Sequence, residues 1–88
     1  MIMKQAQLDI ELCGRLADAC GPVLGLAVPD TGLPVTAMLD DLGSAYPALG
    51  EALRRIRIRA CINETIVAND AMVRPGDRVA LFPPVSGG

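Results

Sequence analysis

Near its start the chain alternates strictly between apolar and polar residues. From Gln5 to Leu12 the even-numbered positions are apolar and the odd-numbered positions are polar, which predicts a strand with one buried and one solvated face. Residues 24–28 repeat this period after a connection that Gly21-Pro22 closes. Together the two segments predict a hairpin with a wide loop.

A helical period follows the hairpin. Pro34 suits the first turn of a helix, where its missing N–H leaves no hydrogen bond unmade. The next apolar residues recur at helical spacing and form one stripe: Val35, Met38, Leu39 and Leu42. Gly43-Ser44 is expected to end this helix, Tyr46-Pro47 to break the chain, and residues 48–55 to add one or two further turns.

Period two returns in the last third of the chain, where residues 56–62 alternate Ile or Ala with Arg or Cys. Asn63-Glu64 predicts a tight turn, because Asn tolerates positive φ, and residues 65–68 predict a short return strand. Arg74 to Asp77 has Pro and Gly at the positions that a type II turn prefers. A last strand over residues 78–82 follows.

In this last strand Val79 and Leu81 are expected to face the helix. Phe82 then shares the opposite face with Arg78 and Ala80, so the only Phe of the chain is predicted to be exposed. An exposed apolar residue beside a projecting terminus favours a docking surface.

The order strand, strand, helix, strand, short strand, strand predicts an α+β fold. We expect a mixed sheet of about five strands packed on one main helix, with its other face left to solvent or partners. The 88 residues leave room for one core only. Residues 1–84 are therefore expected to form the domain and residues 85–88 a flexible tail.

Composition narrows the classes of function. The chain is 51% apolar and 20% charged, as in globular proteins, and lacks the long apolar run of a membrane span. Its net charge of -2 argues against nucleic acid as a partner. The absence of His excludes a Cys/His zinc site and a Cys-His catalytic pair.

The three cysteines lack CxxC spacing, and Lys4 is followed directly by the first strand pattern rather than by a signal segment. We therefore expect a cytoplasmic protein with reduced, mostly buried thiols. A run of four arginines has two interpretations: a patch for phosphate or nucleic acid, or a solvated or partner-facing surface. The negative net charge and the lack of aromatic residues favour the second for Arg54, Arg55, Arg57 and Arg59.

The sequence ends in Phe82-Pro83-Pro84-Val85-Ser86-Gly87-Gly88. Prolines cannot donate backbone hydrogen bonds, so the sheet is expected to stop at Pro83 and the chain to leave extended. The last two glycines have no side chains, and an extended Val85–Gly88 segment reaches ~13–14 Å. Such a tail can present a carboxylate inside another protein's active site; a frayed terminus is the alternative.

The order of elements resembles the ubiquitin-like β-grasp sulfur carriers of the MoaD/ThiS superfamily. Residues 74–88 resemble the end of the small subunit of molybdopterin synthase, which typically has a Gly-Asp turn, a Val-Ala-aromatic strand, Pro-Pro-Val and Gly-Gly. Residues 13–16 are similar to the Arg-containing first loop of that family, and residues 60–64 to its Ala-Val-Asn strand and turn. Leu81 replaces a common Phe, the stretch after the helix is Arg-rich, and the N-terminus is longer.

The resemblance implies a carrier that binds no cofactor tightly. A separate adenylating enzyme (MoeB-like) would use ATP to activate the Gly88 carboxyl, and a sulfur donor system would convert it to a thiocarboxylate. The tail, Val85, Ser86 and Gly87, would then enter the large synthase subunit (MoaE-like), where the sulfur attacks a pterin precursor. The chain itself would be a non-catalytic subunit and co-substrate.

By the same resemblance, Phe82, Pro83, Pro84 and Ile66 would pack against partners, and Arg15 would pair with acidic partner residues. A core position for Ile66 and a solvated position for Arg15 are the alternatives. A carrier for thiamin, cysteine or tRNA thiolation, a ubiquitin-like modifier that joins Gly88 to lysines, and a plain binding module remain open as functions.

Overall fold

The computed structural model describes residues 5–83, which form three helices and two sheets. The elements follow one another in this order: β1 (Gln5–Leu12), α1 (Arg15–Cys20), β2 (Val23–Pro29), β3 (Leu33–Pro34), α2 (Val35–Ala45), α3 (Pro47–Arg55), β4 (Arg59–Ile62), β5 (Thr65–Val67), β6 (Met72–Val73) and β7 (Val79–Phe82). All five predicted strands and both predicted helical segments are present.

The larger sheet has the strand order β2-β1-β7-β4-β5. β1 and β7 are parallel, whereas all other neighbouring pairs are antiparallel, so the expected mixed five-stranded sheet is confirmed. The last strand of the chain lies in the middle of this sheet, between the first strand and β4. The last strand residue, Phe82, therefore belongs to a central strand that has a partner on each side.

Alternation along each strand separates a helix-facing surface from an outer face. The helix-facing side chains join the helices in one core, in which no polar or charged residue from 5–83 is buried; its members include Leu8, Ile10, Leu24, Leu26, Val28, Met38, Leu42, Leu49, Ile58, Ala60, Ile62, Val79 and Leu81. The outer face carries the alternate residues. On β4, β5 and β7 these are Arg59, Cys61, Ile66, Ala80 and Phe82.

The main helix, α2, differs from its prediction at both ends. Pro34 lies just before the helix, with φ -66° and ψ 154°, and pairs with Met72 in a small sheet. The helix does not end at Gly43-Ser44 but continues to Ala45. A Cβ built on Gly50 of α3 would lie 2.7 Å from the Gly43 carbonyl oxygen, so these glycines serve the close approach of two helices rather than a helix end.

Tyr46, between α2 and α3, ties the helix pair to the edge of the sheet. Its hydroxyl donates a 2.7 Å hydrogen bond to the carbonyl oxygen of Gly25 on edge strand β2. Pro47 then opens α3 at its first turn, as the break at Tyr46-Pro47 predicted.

Both predicted turns are confirmed. Asn63 and Glu64 have φ values of 51° and 70°, as a two-residue type I′ hairpin turn requires, and Gly76 has φ 91° at the third position of the Arg74–Asp77 turn. Side chains join the two turns, since Asn63 Nδ2 donates to Asp77 Oδ1 at 3.1 Å. This hydrogen bond holds the two turns together at the end of the sheet where β7 begins.

Candidate functional site

The exit of the chain from the sheet lies between two supporting strands. Leu12 of β1 is opposite Leu81, and Arg59 of β4 is opposite Phe82. The Cys13 N–H donates a 3.0 Å hydrogen bond to the Leu81 carbonyl oxygen and so extends the ladder by one residue. The base of the tail is therefore held on both sides up to its last strand residue.

Pro83 packs over Gly14, which begins α1. A Cβ added to Gly14 would lie 3.8 Å from Pro83 Cγ and 3.9 Å from its Cδ. Gly14 adopts φ 59° and ψ -134°, a region that is open to glycine and strained for other residues. The first loop is thus shaped to receive the proline at the point where the sheet ends.

Phe82 lies on the outer face, as the alternation predicted. It is half-buried rather than exposed, so that part of the prediction is wrong. The reason is that Phe82 lies on a central strand. Arg59 is directly across from it, at a Cβ separation of about 5 Å for such pairs. Arg59 is itself exposed.

Ile66 lies on edge strand β5 and is 56% exposed, so its alternative as a core residue is wrong. It is opposite Cys61, and Cys61 is opposite Ala80. These three residues and Phe82 share the outer face and form what we term the apolar patch. Two strand spacings of about 4.8 Å separate Ile66 from Ala80, so the patch reaches from the edge of the sheet to the tail.

Arg15 is exposed at the start of α1 and follows Gly14 directly. It therefore lies at the end of the sheet from which the tail leaves. Of the predicted site residues, the structure brings Arg15, Phe82, Pro83 and Ile66 to this end or to the outer face beside it. Pro84, Val85, Ser86, Gly87 and Gly88 lie outside the described residues.

The expectation of mostly buried cysteines is wrong. Cys13 is exposed, and Cys20 and Cys61 are half-buried. Each lies where burial is incomplete: after the end of β1, at the end of α1, and on the outer face. Burial of these thiols depended on which strand face and loop they occupy, and composition does not reveal that.

The arginines divide into paired and unpaired groups. Arg54 and Arg55 both bind Glu51, at 3.2 Å and 3.0 Å, because residues three and four positions apart are neighbours on a helix surface. Among residues 5–83 the other ion pair is the exposed contact of Arg78 with Glu64 at 3.8 Å. The remaining arginines next to the tail therefore have no carboxylate partner in the part of the chain that the structure describes.

Within residues 5–83, no three Cys, Asp or Glu side chains converge on a point that could hold a metal ion. No helix in this range is long and apolar enough to cross a membrane.

Two features of the site were missed by sequence reasoning. Neither the pairing of Arg59 with Phe82 nor the packing of Pro83 on Gly14 has a local signal, because each joins segments more than 20 residues apart. The only sequence feature that could have indicated the packing of Pro83 was Gly14, because a glycine often marks a place where another part of the chain approaches closely.

Comparison with known proteins connects this geometry to a family. Residues 10–88 match the ThiS family. The molybdopterin synthase sulfur carrier subunit of Arabidopsis thaliana is 31% identical over 87 residues, which cover 93% of this chain and 83% of that protein.

Solved structures show the same architecture. The crystal structure of SAMP1, a small archaeal modifier protein from Haloferax volcanii, has a TM-score of 0.75 and 30% identity over 94% of this chain and 100% of its own. A putative molybdopterin converting factor subunit from Pyrococcus furiosus has a TM-score of 0.72 over 91% of this chain and 99% of its own; at 18% identity it shows the fold alone. The fold is the ubiquitin-like β-grasp.

Proposed function

This chain belongs to the ThiS family of ubiquitin-like sulfur carriers, and we propose that it supplies sulfur for molybdenum cofactor biosynthesis from the carboxyl group of Gly88. One observation carries the proposal: β7 lies in the middle of the sheet, is paired with β1 and β4, and ends at Phe82, directly before the sequence Pro-Pro-Val-Ser-Gly-Gly. The likeness to a molybdopterin synthase sulfur carrier subunit supports the choice of pathway.

The proposed chemistry begins with a poor electrophile, the Gly88 carboxylate. In the active site of an adenylating enzyme, a carboxylate oxygen attacks the α-phosphorus of ATP and pyrophosphate leaves. A sulfur nucleophile from a donor system then attacks the acyl carbon and AMP leaves with the bonding electrons, which produces the thiocarboxylate. This chain holds no cofactor for these steps, since ATP is consumed by the partner.

Delivery of the sulfur needs a docked carrier and a threaded tail. The apolar patch and Arg15 would contact the large synthase subunit while Gly87 and Gly88 enter its active site, where a side chain would obstruct a narrow channel. The sulfur atom then attacks the pterin precursor. In this scheme the folded domain positions the tail, and the partner supplies the acid–base groups.

Reconstitution with a large synthase subunit and a thiocarboxylated carrier tests this proposal. The thiocarboxylate form is expected to convert the pterin precursor to the dithiolene product, whereas the carboxylate form of the same chain gives none. Equal activity of both forms, or inactivity of both while a thiocarboxylated small subunit of an established synthase is active, would contradict it.

A modifier is the second candidate, because SAMP1 of Haloferax volcanii shares the fold at 30% identity. The same activated Gly88 carboxyl would then form an isopeptide bond with a lysine of a target protein. Adducts of this chain on other proteins in its native host support the modifier, and a free thiocarboxylate without adducts supports the carrier. Carriers for thiamin, cysteine or tRNA thiolation differ in the partner that accepts the sulfur.

A further inference from the structure

The positive charge of this chain is almost entirely arginine. Of its 8 basic residues, Lys4 is the only lysine. Arg59 lies directly opposite Phe82, Arg15 follows the glycine on which Pro83 packs, and exposed Arg57 precedes Arg59 by two residues. Every basic side chain placed around the base of the tail is therefore a guanidinium rather than an amine.

The two groups differ in their reaction with an activated carboxyl. A guanidinium stays protonated and delocalised at any physiological pH, so it is not a nucleophile, whereas a fraction of lysine side chains is a free amine that forms amides. Gly88 is five residue steps beyond Pro83, and such a segment reaches at most ~17–18 Å. An amine at position 59 would lie within that radius of the tail's base and would meet the acyl carbon at an effective concentration of about millimolar.

The single lysine of the sequence, Lys4, directly precedes β1. Gln5 at the start of this eight-residue strand pairs with Pro29, whereas Leu12 at its other end is opposite Leu81 of β7. Seven residue steps of about 3.3 Å separate the two ends of β1 by ~23 Å. The chain therefore enters β1 at the end of the strand that is farther from Pro83.

We propose that the restriction of basic side chains around the base of the tail to arginine protects the activated Gly88 carboxyl from irreversible amide formation with its own chain while it offers positive charge to partners. This inference rests on the proposed function, because it assumes that the Gly88 carboxyl is activated. The reaction that it excludes is defined: the lysine Nζ attacks the Gly88 acyl carbon, a C–N bond forms, the bond to AMP or another leaving group breaks, and the proton goes to solvent. Its product is a chain closed on itself, with no carboxyl left to carry sulfur.

The test uses the full-length chain prepared as a C-terminal thioester of mercaptoethanesulfonate, so that no activating enzyme is needed. All variants carry Lys4→Arg, and one lysine is introduced at a time. Arg59→Lys places it beside the tail. Arg74→Lys is the matched control. Arg74 is also an exposed arginine, but it lies in the turn before β7, whereas Arg59 is opposite Phe82 at the other end of that strand.

Dilute protein is incubated at mildly alkaline pH with free mercaptoethanesulfonate, which reopens any internal thioester that exposed Cys13 forms, and intact mass then separates the internal amide from the hydrolysed carboxylate. The internal amide is ~18 Da lighter than the hydrolysed carboxylate, since it has lost one water. Arg59→Lys is expected to give at least about fivefold more amide than Arg74→Lys, because effective concentration falls with the distance to be spanned. Peptide mapping is expected to join residue 59 to Gly88.

Equal amide yields from the two variants, or a yield from Arg59→Lys no higher than from Lys4→Arg alone, would overturn the inference. Because the thioester is made without any partner enzyme, this outcome is independent of whether the chain serves the molybdenum cofactor. Circular dichroism melting curves of the three variants check that all three have the same fold and similar stability.

Discussion

At the residue scale, Phe82 is the anchor of the apolar patch. It is half-buried on the outer face and absent from the helix-facing core, so truncation would remove the proposed docking contact and leave the core intact. We expect Phe82→Ala to weaken binding to the large synthase subunit by ~1–3 kcal/mol. Isothermal titration calorimetry measures this change, and an affinity equal to that of the parent chain would remove Phe82 from the interface.

Ile66 and Val23 form a matched pair for mapping the same interface. Both are large apolar residues on edge strands, 56% and 52% exposed, but at opposite edges of the sheet. Ile66→Ala is expected to weaken binding of the large subunit by about 1 kcal/mol or more, whereas Val23→Ala leaves it unchanged. The reverse order would place the docking surface on β1 and β2 instead of the apolar patch.

Gly14 is the residue on which backbone geometry at the tail's base depends. Its φ of 59° and ψ of -134° are strained for any residue with a Cβ. Space is not the obstacle, because an added Cβ would be 3.8 Å from its nearest neighbour, Pro83 Cγ. Gly14→Ala is expected to lower the free energy of unfolding by ~1–3 kcal/mol. Urea denaturation measures it; an unchanged midpoint would show that the loop relaxes without strain.

At the scale of elements, the crossing of α2 and α3 gives a sharp prediction. A Cβ on Gly50 would meet the Gly43 carbonyl oxygen at 2.7 Å, whereas a Cβ on Gly43 would meet its nearest neighbour, the Gly50 Cα, at 3.3 Å. Both replacements by Ala gain helix propensity of up to ~1 kcal/mol. Gly50→Ala must also push the helices apart, which costs about 1–3 kcal/mol.

We therefore expect Gly50→Ala to melt at a lower temperature than Gly43→Ala, and Gly43→Ala to melt near the parent protein. Calorimetry on the two variants decides the order. A Gly50→Ala protein as stable as Gly43→Ala would mean that the two helices are not in close contact at this crossing.

A helix or strand was predictable from the sequence when one of its faces is buried over many residues. β1, β2, β4 and α2 all show a period because their alternate or spaced residues enter one core. Helix α1 and strands β3 and β6 span six and two residues, too few for a period to appear. The small sheet forms only because two segments almost 40 residues apart in the sequence meet. Local propensity does not predict such a long-range pairing.

At the scale of the whole molecule, the residue at which the sheet ends was predictable and the surroundings of that residue were not. Two prolines after an apolar strand predicted where the sheet stops. That β7 is a central strand, with Arg59 on one side and Gly14 beneath Pro83, follows from the parallel pairing of the first and last strands. Such pairing is set by the packing of the complete sheet, so the half-buried state of Phe82 could not be derived from alternation alone.

The expected separation of domain and tail predicts that function and stability can be lost independently. Deleting Gly88 is expected to abolish sulfur transfer and to shift the thermal midpoint very little, because the core of the described residues runs from Leu8 to Leu81. Calorimetry and a sulfur-transfer assay on the same preparation measure both. A large fall in the midpoint would make the last residue structural.

The intact mass of this chain purified from its native host tests the central claim most directly. Replacement of one carboxyl oxygen by sulfur adds ~16 Da, and oxidation of any of the 4 methionines adds nearly the same mass. Fragmentation therefore has to assign the added mass to a residue. The account predicts a population whose added mass lies on Gly88; a chain in which Gly88 is always an ordinary carboxylate, even in cells that are making the molybdenum cofactor, would contradict it.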